Sequence, residues 1–449
     1  MLNREELLAL KDEEDARFVA ARPKTVALWE RAKGSMPNGV PMSWHFGSYH
    51  HLMWASGGHG SRFSDADGHE YVDFNIADMS MFTGYGPEPV VRAVSEQVSR
   101  GSQFLLPTED SVIVAEELKR RWGMPKWQFT LSATQANTEA IRVSRVATGR
   151  DKVLMFEGKY HGHFDEALVE VDDTGRLVPE ETGLASDAIE NTILVPWNDV
   201  DALARALERR DVAVVLTEPA LSNNVVLLLP DDGFHDRLRS LTRDTGTLLA
   251  IDETHTLVSG PGGLVGRWGL DPDFVIVGKS IAAGIPMGTY GMTEEVASVM
   301  EQEKDREGER HGVVATGGTL FGNPLQMAAA RAALTEVLTE DAYERTATLG
   351  AKLANGLREL VAQADLPWYI HHLYPRSGYT FAPEPARNAA EAYAVDDHLL
   401  RRVIRIWMAN RGVWEAIVGA GPVVPVPGTA PDVDLYLRSF SDLLERLSD

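Results

Sequence analysis

A lysine and two acids, each placed at the end of an apolar run, are the residues of this chain best suited to chemistry. They are Lys279, Asp252 and Glu218, and the runs before them are residues 274–277, 248–251 and 212–216. Short apolar runs bounded by turn residues predict buried strands, and ligands bind at the carboxyl ends of strands in open α/β sheets. A lysine at such a strand end is desolvated, which favours its neutral, nucleophilic form. A structural lysine that extends its amine to the surface is the alternative interpretation.

An amine and a carboxylate at one sheet edge suit a particular cofactor. Pyridoxal 5'-phosphate (PLP) requires a lysine for its Schiff base and an acid beside its ring nitrogen. The acid keeps the ring nitrogen protonated, so that the ring can accept electrons from a carbanion. Lys279 and Asp252 therefore predict a PLP site, and a simple ion pair between the two side chains is the alternative.

A phosphate-binding turn is predicted earlier in the chain. Residues 127–131 have strand character, residues 132–137 form a small, hydroxyl-rich turn, and a helical pattern follows. The free N–H groups and the dipole of a helix N-terminus bind anions, although Ser and Thr are also ordinary N-caps. Tyr160, in the loop after the next apolar run, could stack on a flat cofactor or could simply pack within its loop.

These segments, in this order, resemble the class III aminotransferases of PLP fold type I. The resemblance is closest to the branch that contains glutamate-1-semialdehyde aminomutase and the β-amino-acid aminotransferases. It spans about residues 60 to 330, with weaker similarity at both ends. The matching motifs are residues 132–137, 160–163, 218–219, 252–255, 278–279 and 318–324.

The resemblance implies a role for each matching residue. Lys279 would carry the Schiff base and move a proton between the substrate carbon and the cofactor, while Asp252 would hold the proton of the ring nitrogen. Tyr160 and Thr254 would cover the two faces of the ring. The full set of cofactor-binding residues implied in this way is Ser132, Ala133, Thr134, Tyr160, His161, Glu218, Asp252, Thr254, Lys279, Gly318 and Thr319.

The resemblance also implies a homodimer. Thr319 would reach the cofactor phosphate of the neighbouring subunit, so that each active site lies at the subunit interface. Ala133 and Thr134 would bind the phosphate within their own subunit. Ala133 stands where the family usually has Gly, and Gln135 stands where it usually has Glu; both changes are mild.

The arginines that would bind a substrate carboxylate are not at their usual positions. An arginine fork holds a carboxylate bidentately, but residues 36–46 contain no Arg, and Arg411 precedes the position expected in the C-terminal segment. Arg376 is another possible clamp. For both arginines a surface salt bridge is the alternative interpretation.

Aromatic residues occupy the segment where the clamp is missing. Trp44, Phe46 and Tyr49 lie close together in the sequence, and Phe321 stands where a small or polar residue is common in the family. Such a pocket favours a bulky apolar amine or an aryl substrate. Alternatively, these residues cover the core or the dimer interface.

Composition limits the partners of the protein. The chain has 449 residues and a formal net charge of −23, which argues against nucleic acid or an anionic membrane as partners. It has no cysteine, and no carboxylate-rich ligand set accompanies its histidine pairs, so we expect no metal. No stretch approaches the length of a membrane span, and residues 1–6 do not start a signal peptide, which predicts a cytoplasmic protein.

We expect an α/β protein of PLP fold type I. Its large domain, residues 61–325, would contain a mostly parallel seven-stranded sheet between helices. Residues 1–60 and 326–449 would form a smaller α+β domain. Residues 62–74 show the pattern of a hairpin with Asp67-Gly68 at its turn.

The predicted activity is that of a PLP-dependent transaminase, which moves an amino group from an amine or amino acid to a keto acceptor by a ping-pong mechanism. A 2,1-aminomutase, which returns the amine to the same carbon skeleton, is the nearest alternative, and a racemase is another. A non-catalytic PLP-fold binding protein would need no proton shuttle, and the presence of both Lys279 and Asp252 argues against it.

Overall fold

A computed structural model of the protein describes residues 3–48, 53–172, 174–185, 189–306, 309–417 and 419–448. The chain divides into two compact units. The larger unit comprises Glu88–Tyr343 and Ala386–Tyr393. The smaller unit comprises Met1–Pro87, Glu344–Pro385 and Ala394–Asp449.

The larger unit is built on a seven-stranded sheet. Its strands lie in the spatial order Lys126–Thr130, Gly288–Met292, Phe274–Gly278, Leu248–Asp252, Val212–Thr217, Lys152–Phe156 and Thr192–Val195. Gly288–Met292 runs antiparallel to both of its neighbours, and the other adjacent pairs are parallel. The central strands are almost completely buried, as expected when both faces of a sheet are covered. The predicted mostly parallel seven-stranded sheet is confirmed.

Helices of the larger unit surround this sheet. The described helices are Glu88–Arg100, Glu109–Trp122, Ala133–Thr148, Val200–Leu207, Phe234–Thr245, Gly263–Trp268, Glu294–Met300, Pro324–Ala332 and most of Ala389–Ala394. Two short antiparallel pairs complete the described strands: Val169–Val171 with Leu177–Pro179, and Glu303–Arg306 with Glu309–Gly312.

The smaller unit combines a mixed sheet with helices. The sheet has the strand order Ala55–His59, Arg62–Asp65, Glu70–Asp73 and Val413–Trp414, and a separate hairpin joins Tyr369–Leu373 to Arg376–Thr380. The pairing of Arg62–Asp65 with Glu70–Asp73 confirms the hairpin expected around Asp67-Gly68. The main helices are Arg4–Ala20, Pro23–Ala32, Trp44–Ser48, His398–Ala409 and Ala430–Ser448, together with most of Glu340–Gln363.

The predicted domain boundaries, after residues 60 and 325, fall inside these two units. The hairpin of residues 62–73 pairs with Val413–Trp414, which places it in the smaller unit. Helix Pro324–Ala332 packs against Glu88–Arg100 and belongs to the larger unit. In both places, contact between segments that are far apart in the sequence determines the unit to which a segment belongs.

Among the described residues, none of the helices combines the length and apolar character that crossing a bilayer requires.

Candidate active site

Three adjacent parallel strands bring the predicted lysine and acids to one edge of the sheet. Asp252 is the last residue of its strand, Lys279 follows Phe274–Gly278 directly, and Glu218 follows Val212–Thr217. The strand of Asp252 lies between the other two. Because parallel strands end at the same edge of a sheet, the three side chains share one ligand-binding edge.

Lys279 begins a short 3-10 turn and has a backbone φ of 53°. A positive φ is uncommon for a residue other than Gly and is typical of functional sites. Its Nζ forms a hydrogen bond with Nε2 of His255. The side chain is only half-buried, so the desolvation expected from sequence is incomplete, because the turn carries the amine beyond the buried strand.

Asp252 is buried among hydrogen-bond donors. Its Oδ2 accepts from Nδ2 of Asn137 at 2.8 Å and lies 3.0 Å from Nδ1 of His161, and its Oδ1 accepts from the backbone N–H of Thr254 at 3.0 Å. Burial by itself would raise the pKa of Asp252, but the His161 contact and the other hydrogen bonds hold the pKa below its usual range. The carboxylate therefore stays ionised within the protein interior.

Asn137 completes this arrangement and was not assigned a role from sequence. It lies one turn into helix Ala133–Thr148, and its Nδ2 donates to both the Asp252 carboxylate and the backbone oxygen of His161, each at 2.8 Å. The available sequence signal was a polar residue beside Ala136 on the apolar face of that helix. His161, predicted to bind the cofactor, is buried against Asp252.

The predicted phosphate turn forms the N-terminus of helix Ala133–Thr148. Ser132 is the N-cap, and its hydroxyl oxygen accepts from the backbone N–H of Gln135 at 3.3 Å. The hydroxyl oxygen of Thr134 accepts from the backbone N–H of His163 at 3.2 Å. The first N–H groups of a helix have no partner within the helix, so this end is able to bind an anion.

Glycines let the surrounding chain approach this helix N-terminus closely. A Cβ at Gly162 would lie 2.1 Å from the hydroxyl oxygen of Thr134, and one at Gly288 would lie 2.2 Å from the backbone of Ser132. A Cβ at Gly278 would lie 3.0 Å from the Cβ of Ala133. The absence of a side chain at Gly278 leaves room for the methyl group of Ala133.

The remaining predicted cofactor residues have varied surroundings. Tyr160 is exposed, while Thr254 is buried beside Asp252. Glu218 is buried, and its Oε2 accepts from both the backbone N–H and the hydroxyl of Ser222, at 3.1 and 3.0 Å. Gly318 and Thr319 lie in an exposed turn.

Phe321 packs over that turn. A Cβ at Gly318 would lie 3.2 Å from its ring, and the backbone oxygen of Thr319 accepts from Nε2 of Gln103 at 2.6 Å. The turn is therefore tied to the segment that contains Gln103. The role of Phe321 in a substrate pocket stays a prediction.

The predicted substrate wall lies in the smaller unit. Trp44 and Phe46 are exposed, and Tyr49 lies outside the described residues. Near them, His45 and Trp54 line a cavity of about 610 Å³ within the smaller unit, and none of the residues described around it is Lys or Arg.

The two candidate clamp arginines have partners within the smaller unit. Arg411 pairs with the buried carboxylate of Glu14 at 3.3 Å, and its guanidinium lies 3.1 Å from the ring centroid of Trp407. Arg376 is buried, and one of its nitrogens lies 3.4 Å from the backbone oxygen of Gly421. A structural ion pair explains the position of Arg411 without any ligand.

The residues at the sheet edge fit PLP. Asp252 is an ionised carboxylate buried among hydrogen-bond donors, which suits a protonated ring nitrogen, and Lys279 lies at the neighbouring strand end. The N-terminus of helix Ala133–Thr148, which Gly162 approaches closely, presents the N–H groups that a phosphate group requires.

Comparison with known proteins agrees with this geometry. The family model described as "Aminotransferase class-III" matches residues 46–414. A glutamate-1-semialdehyde 2,1-aminomutase of Anaeromyxobacter dehalogenans (strain 2CP-C) is 35% identical over 378 residues, which are 82% of this chain and 85% of that protein.

Two solved structures are similar over almost the whole chain. A glutamate-1-semialdehyde aminomutase from Pseudomonas aeruginosa PAO1, in complex with PMP, has a TM-score of 0.94 and 37% identity, covering 99% of each chain. A β-phenylalanine aminotransferase from Variovorax paradoxus has a TM-score of 0.86 and 25% identity, covering 98% of each chain.

Proposed function

Because this chain belongs to the class III aminotransferases, which are PLP-dependent enzymes, we propose that it is a transaminase that moves an amino group from an amine or amino acid to a keto acceptor by a ping-pong mechanism. The observation that carries the proposal is the placement of Lys279 and of a buried, ionised Asp252 at the ends of neighbouring strands. A protein that only binds PLP would need no proton shuttle at that position.

Each group has one task in this proposal. When bound, PLP supplies an electron sink for the carbanion that forms when the substrate loses a proton. Asp252 keeps the ring nitrogen protonated, and the N–H groups of Ala133 and Thr134 bind the phosphate. The Nζ of Lys279 would take the proton from the substrate carbon and deliver it to the cofactor carbon that receives the amino group.

The reaction is tested with the absorbance of the PLP-loaded enzyme. An amine donor should bleach the visible band, and a keto acceptor should restore it. Lys279→Ala should lose turnover by several orders of magnitude, while cofactor held through its phosphate is retained. Turnover close to that of the unmodified enzyme in this variant would end the proposal.

We propose bulky apolar or aryl amines as the preferred donors. The early segment has no Arg, and Arg411 is engaged by Glu14. A carboxylate buried without a partner costs several kcal/mol, whereas burial of an aryl ring is worth about 1.5–3 kcal/mol. A relative named as a β-phenylalanine aminotransferase supports an aryl side chain. The kcat/KM of an arylalkyl amine should exceed that of glutamate, and a tenfold advantage for glutamate would contradict this.

A 2,1-aminomutase is the second candidate function. It is favoured by the names of relatives, including one that is 37% identical over 99% of the chain. The missing arginine in residues 36–46 weakens the case for a substrate that carries a carboxylate. The two activities differ in one requirement, because an aminomutase converts a single substrate without any keto acceptor. Conversion of glutamate 1-semialdehyde in the absence of an acceptor would replace our first candidate.

We further propose that the active enzyme is a homodimer with shared sites. Three consecutive exposed apolar residues, Phe104, Leu105 and Leu106, follow Gln103, which is bonded to the Thr319 backbone, and Leu320 is exposed beside it. Contiguous apolar surface of this kind marks an interaction site. Mixing inactive Lys279→Ala with an inactive Thr319 variant should restore part of the activity, and an active monomer would contradict the proposal.

A further inference from the structure

His255 is a buried residue that contacts the amine of Lys279 and has no role in the function proposed above. It lies three positions after Asp252, and its Nε2 forms a hydrogen bond with Nζ of Lys279. The same Nε2 lies 3.0 Å from Nδ2 of Asn223, and its Nδ1 lies 3.3 Å from the backbone oxygen of Ser222. Both ring nitrogens are therefore engaged.

These contacts define which nitrogen carries the hydrogen. A backbone oxygen can only accept, so Nδ1 of His255 donates to Ser222. In the neutral ring the other nitrogen, Nε2, is then an acceptor. Lys279 and the amide of Asn223 both present hydrogens to it. The arrangement is that of a neutral imidazole whose lone pair faces the lysine.

The imidazole is held by the same strand ends that build the site. Ser222 is fixed by Glu218, whose Oε2 accepts from its backbone N–H and its hydroxyl. Glu218 follows the strand on one side of Asp252, and Lys279 follows the strand on the other. His255 thus links the outer two of three neighbouring strand ends, while the lysine side chain retains several rotatable bonds.

The charged groups on the adjoining segments have partners of their own. Asp252 is bonded to Asn137 and His161. The buried Glu253 accepts from the hydroxyl of Thr256, and burial raises its pKa to about 7. Together with Glu218, these are the titratable groups on the segments that hold His255.

We propose that His255 is a positioning residue for Lys279: its Nε2 accepts a hydrogen bond from Nζ and stabilises the ammonium form while the amine is not bonded to the cofactor. This inference rests on the proposed PLP-dependent function, in which Lys279 takes up a proton and later delivers it. A neutral acceptor opposite Nζ holds the charged amine in the orientation needed for the delivery step.

The test measures Lys279 directly in the full chain before PLP is added. Lysines are acetylated briefly over a range of pH, and the modified fraction of Lys279 is quantified by mass spectrometry, with the exposed Lys119 as the internal reference. In His255→Leu the ammonium loses an acceptor, and a hydrogen bond to a charged group is strong enough to move the half-maximal pH of acetylation down by about one unit. Acetylation near neutral pH should then be about tenfold faster.

His255→Gln is the matched control. Its side-chain oxygen can accept from Nζ but cannot act as a base, so it should restore the acetylation profile to within about twofold of the unmodified protein. An unchanged profile in His255→Leu would refute the positioning role. An equal shift in the Leu and Gln variants would also refute it, since a specific property of the imidazole would then be required.

A second variant covers the case in which His255→Leu does not fold. Asn223→Ala leaves Nε2 to Lys279 alone, so acetylation of Lys279 should slow slightly, by about twofold; faster acetylation would contradict the proposal. After loading with PLP, the Leu variant should lose about tenfold in the maximal rate of amine consumption with little change in KM. Since the acetylation needs neither cofactor nor substrate, its outcome is independent of whether the transaminase proposal succeeds.

Discussion

Asp252 in the larger unit and Asp73 in the smaller unit are both aspartates at the last position of a strand, and both are buried. Each also accepts from backbone N–H groups that follow it in sequence. Oδ1 of Asp252 accepts from Thr254 at 3.0 Å, and Oδ1 of Asp73 accepts from Asn75 at 2.8 Å and Ile76 at 2.7 Å. The two aspartates are therefore alike in their place at a strand end, in their burial and in accepting from the N–H groups that follow them.

Their second oxygens face different partners. Oδ2 of Asp252 lies against the ring of His161 and the amide of Asn137, while Oδ2 of Asp73 accepts from the hydroxyl of Tyr85 at 2.7 Å. Burial raises the pKa of both carboxyls, but His161 and its neighbours reverse this at Asp252 and hold its pKa below the usual range. At Asp73 the Tyr85 hydroxyl and the backbone N–H groups offset only part of the effect of burial, and the pKa of Asp73 rises to about 6.

The difference shows that two buried aspartates at strand ends have different roles. Asp73 holds the backbone that follows it through the N–H groups of Asn75 and Ile76. Ile76 starts a run of four residues, 76–79, with φ between 46° and 67°. This region is unfavourable for L-residues and persists only when the surroundings hold it. Asp252 instead keeps a negative charge available to a ligand. The contact with the imidazole of His161, which lowers the pKa of Asp252, is the main difference between the two sites.

The sharpest test of this comparison replaces each aspartate with asparagine. Asp252→Asn removes the charge that we propose holds a proton on the ring nitrogen, and we expect the half-reaction with an amine donor to slow by about a thousandfold. Asp73→Asn should change that rate by less than about threefold. Stopped-flow absorbance gives both rates, and equilibrium dialysis gives cofactor affinity. Equal losses in the two variants would show that Asp252 is structural.

The second prediction concerns stability as a function of pH. The pKa of Asp73 is about 6 in the folded protein and about 3.9 in an unfolded chain. At pH values between these two pKa values the folded state binds more protons than the unfolded state. The free energy of unfolding therefore falls as the pH rises from about 4 to 6. The Asp73 contribution over that interval is about 3 kcal/mol.

Asp73→Asn should remove this slope, which urea unfolding at several pH values would measure. Asp252 contributes with the opposite sign, because its pKa is lower in the folded protein than in the unfolded chain. It stabilises the folded protein at pH values above the pKa of the unfolded chain, and this stabilisation is lost on acidification. If the difference between the unmodified protein and Asp73→Asn stays constant from about pH 4 to 6, Asp73 does not titrate as we infer.

The third prediction removes the partner that separates the two carboxylates. Without its imidazole, His161→Leu should raise the pKa of Asp252 and move the acid limb of the half-reaction to higher pH by about one unit. The loss should be small near pH 8 and should grow as the pH falls toward the range in which a carboxyl group titrates. His161→Gln retains a donor for the carboxylate and serves as the control. A loss that is independent of pH would point to packing instead of charge.

The smallest expected effect is that of Tyr85→Phe. This change deletes the hydroxyl that donates to Asp73, so the pKa of Asp73 should rise further and stability should fall by about 1 kcal/mol. Chemical denaturation measures the stability change. The half-reaction should be unaffected, and a loss comparable with that of His161→Leu would place Tyr85 in the active site and remove the contrast between the two regions.

Much of the fold and part of the site follow from local sequence patterns. The apolar runs before Glu218, Asp252 and Lys279 predict three buried strands, and all three are found as adjacent parallel strands. The hairpin at Asp67-Gly68 is found as well. The predicted domain boundaries do not coincide with the compact units, because pairing between segments hundreds of residues apart decides which unit a hairpin joins.

The sequence by itself determined the strand ends, the helix N-terminus at Ser132 and the family, since these depend on residue type, order and spacing along the chain. It did not reveal the charge state of Asp252 or the contact of His255 with Lys279. Both depend on side chains brought together from separate strands and loops, and Asn137 is 115 residues from the carboxylate it supports. Burial shifts a carboxyl toward its neutral form unless hydrogen-bond donors offset it. Only the tertiary structure brings His161 and Asn137 to the second oxygen of Asp252 and the Tyr85 hydroxyl to that of Asp73.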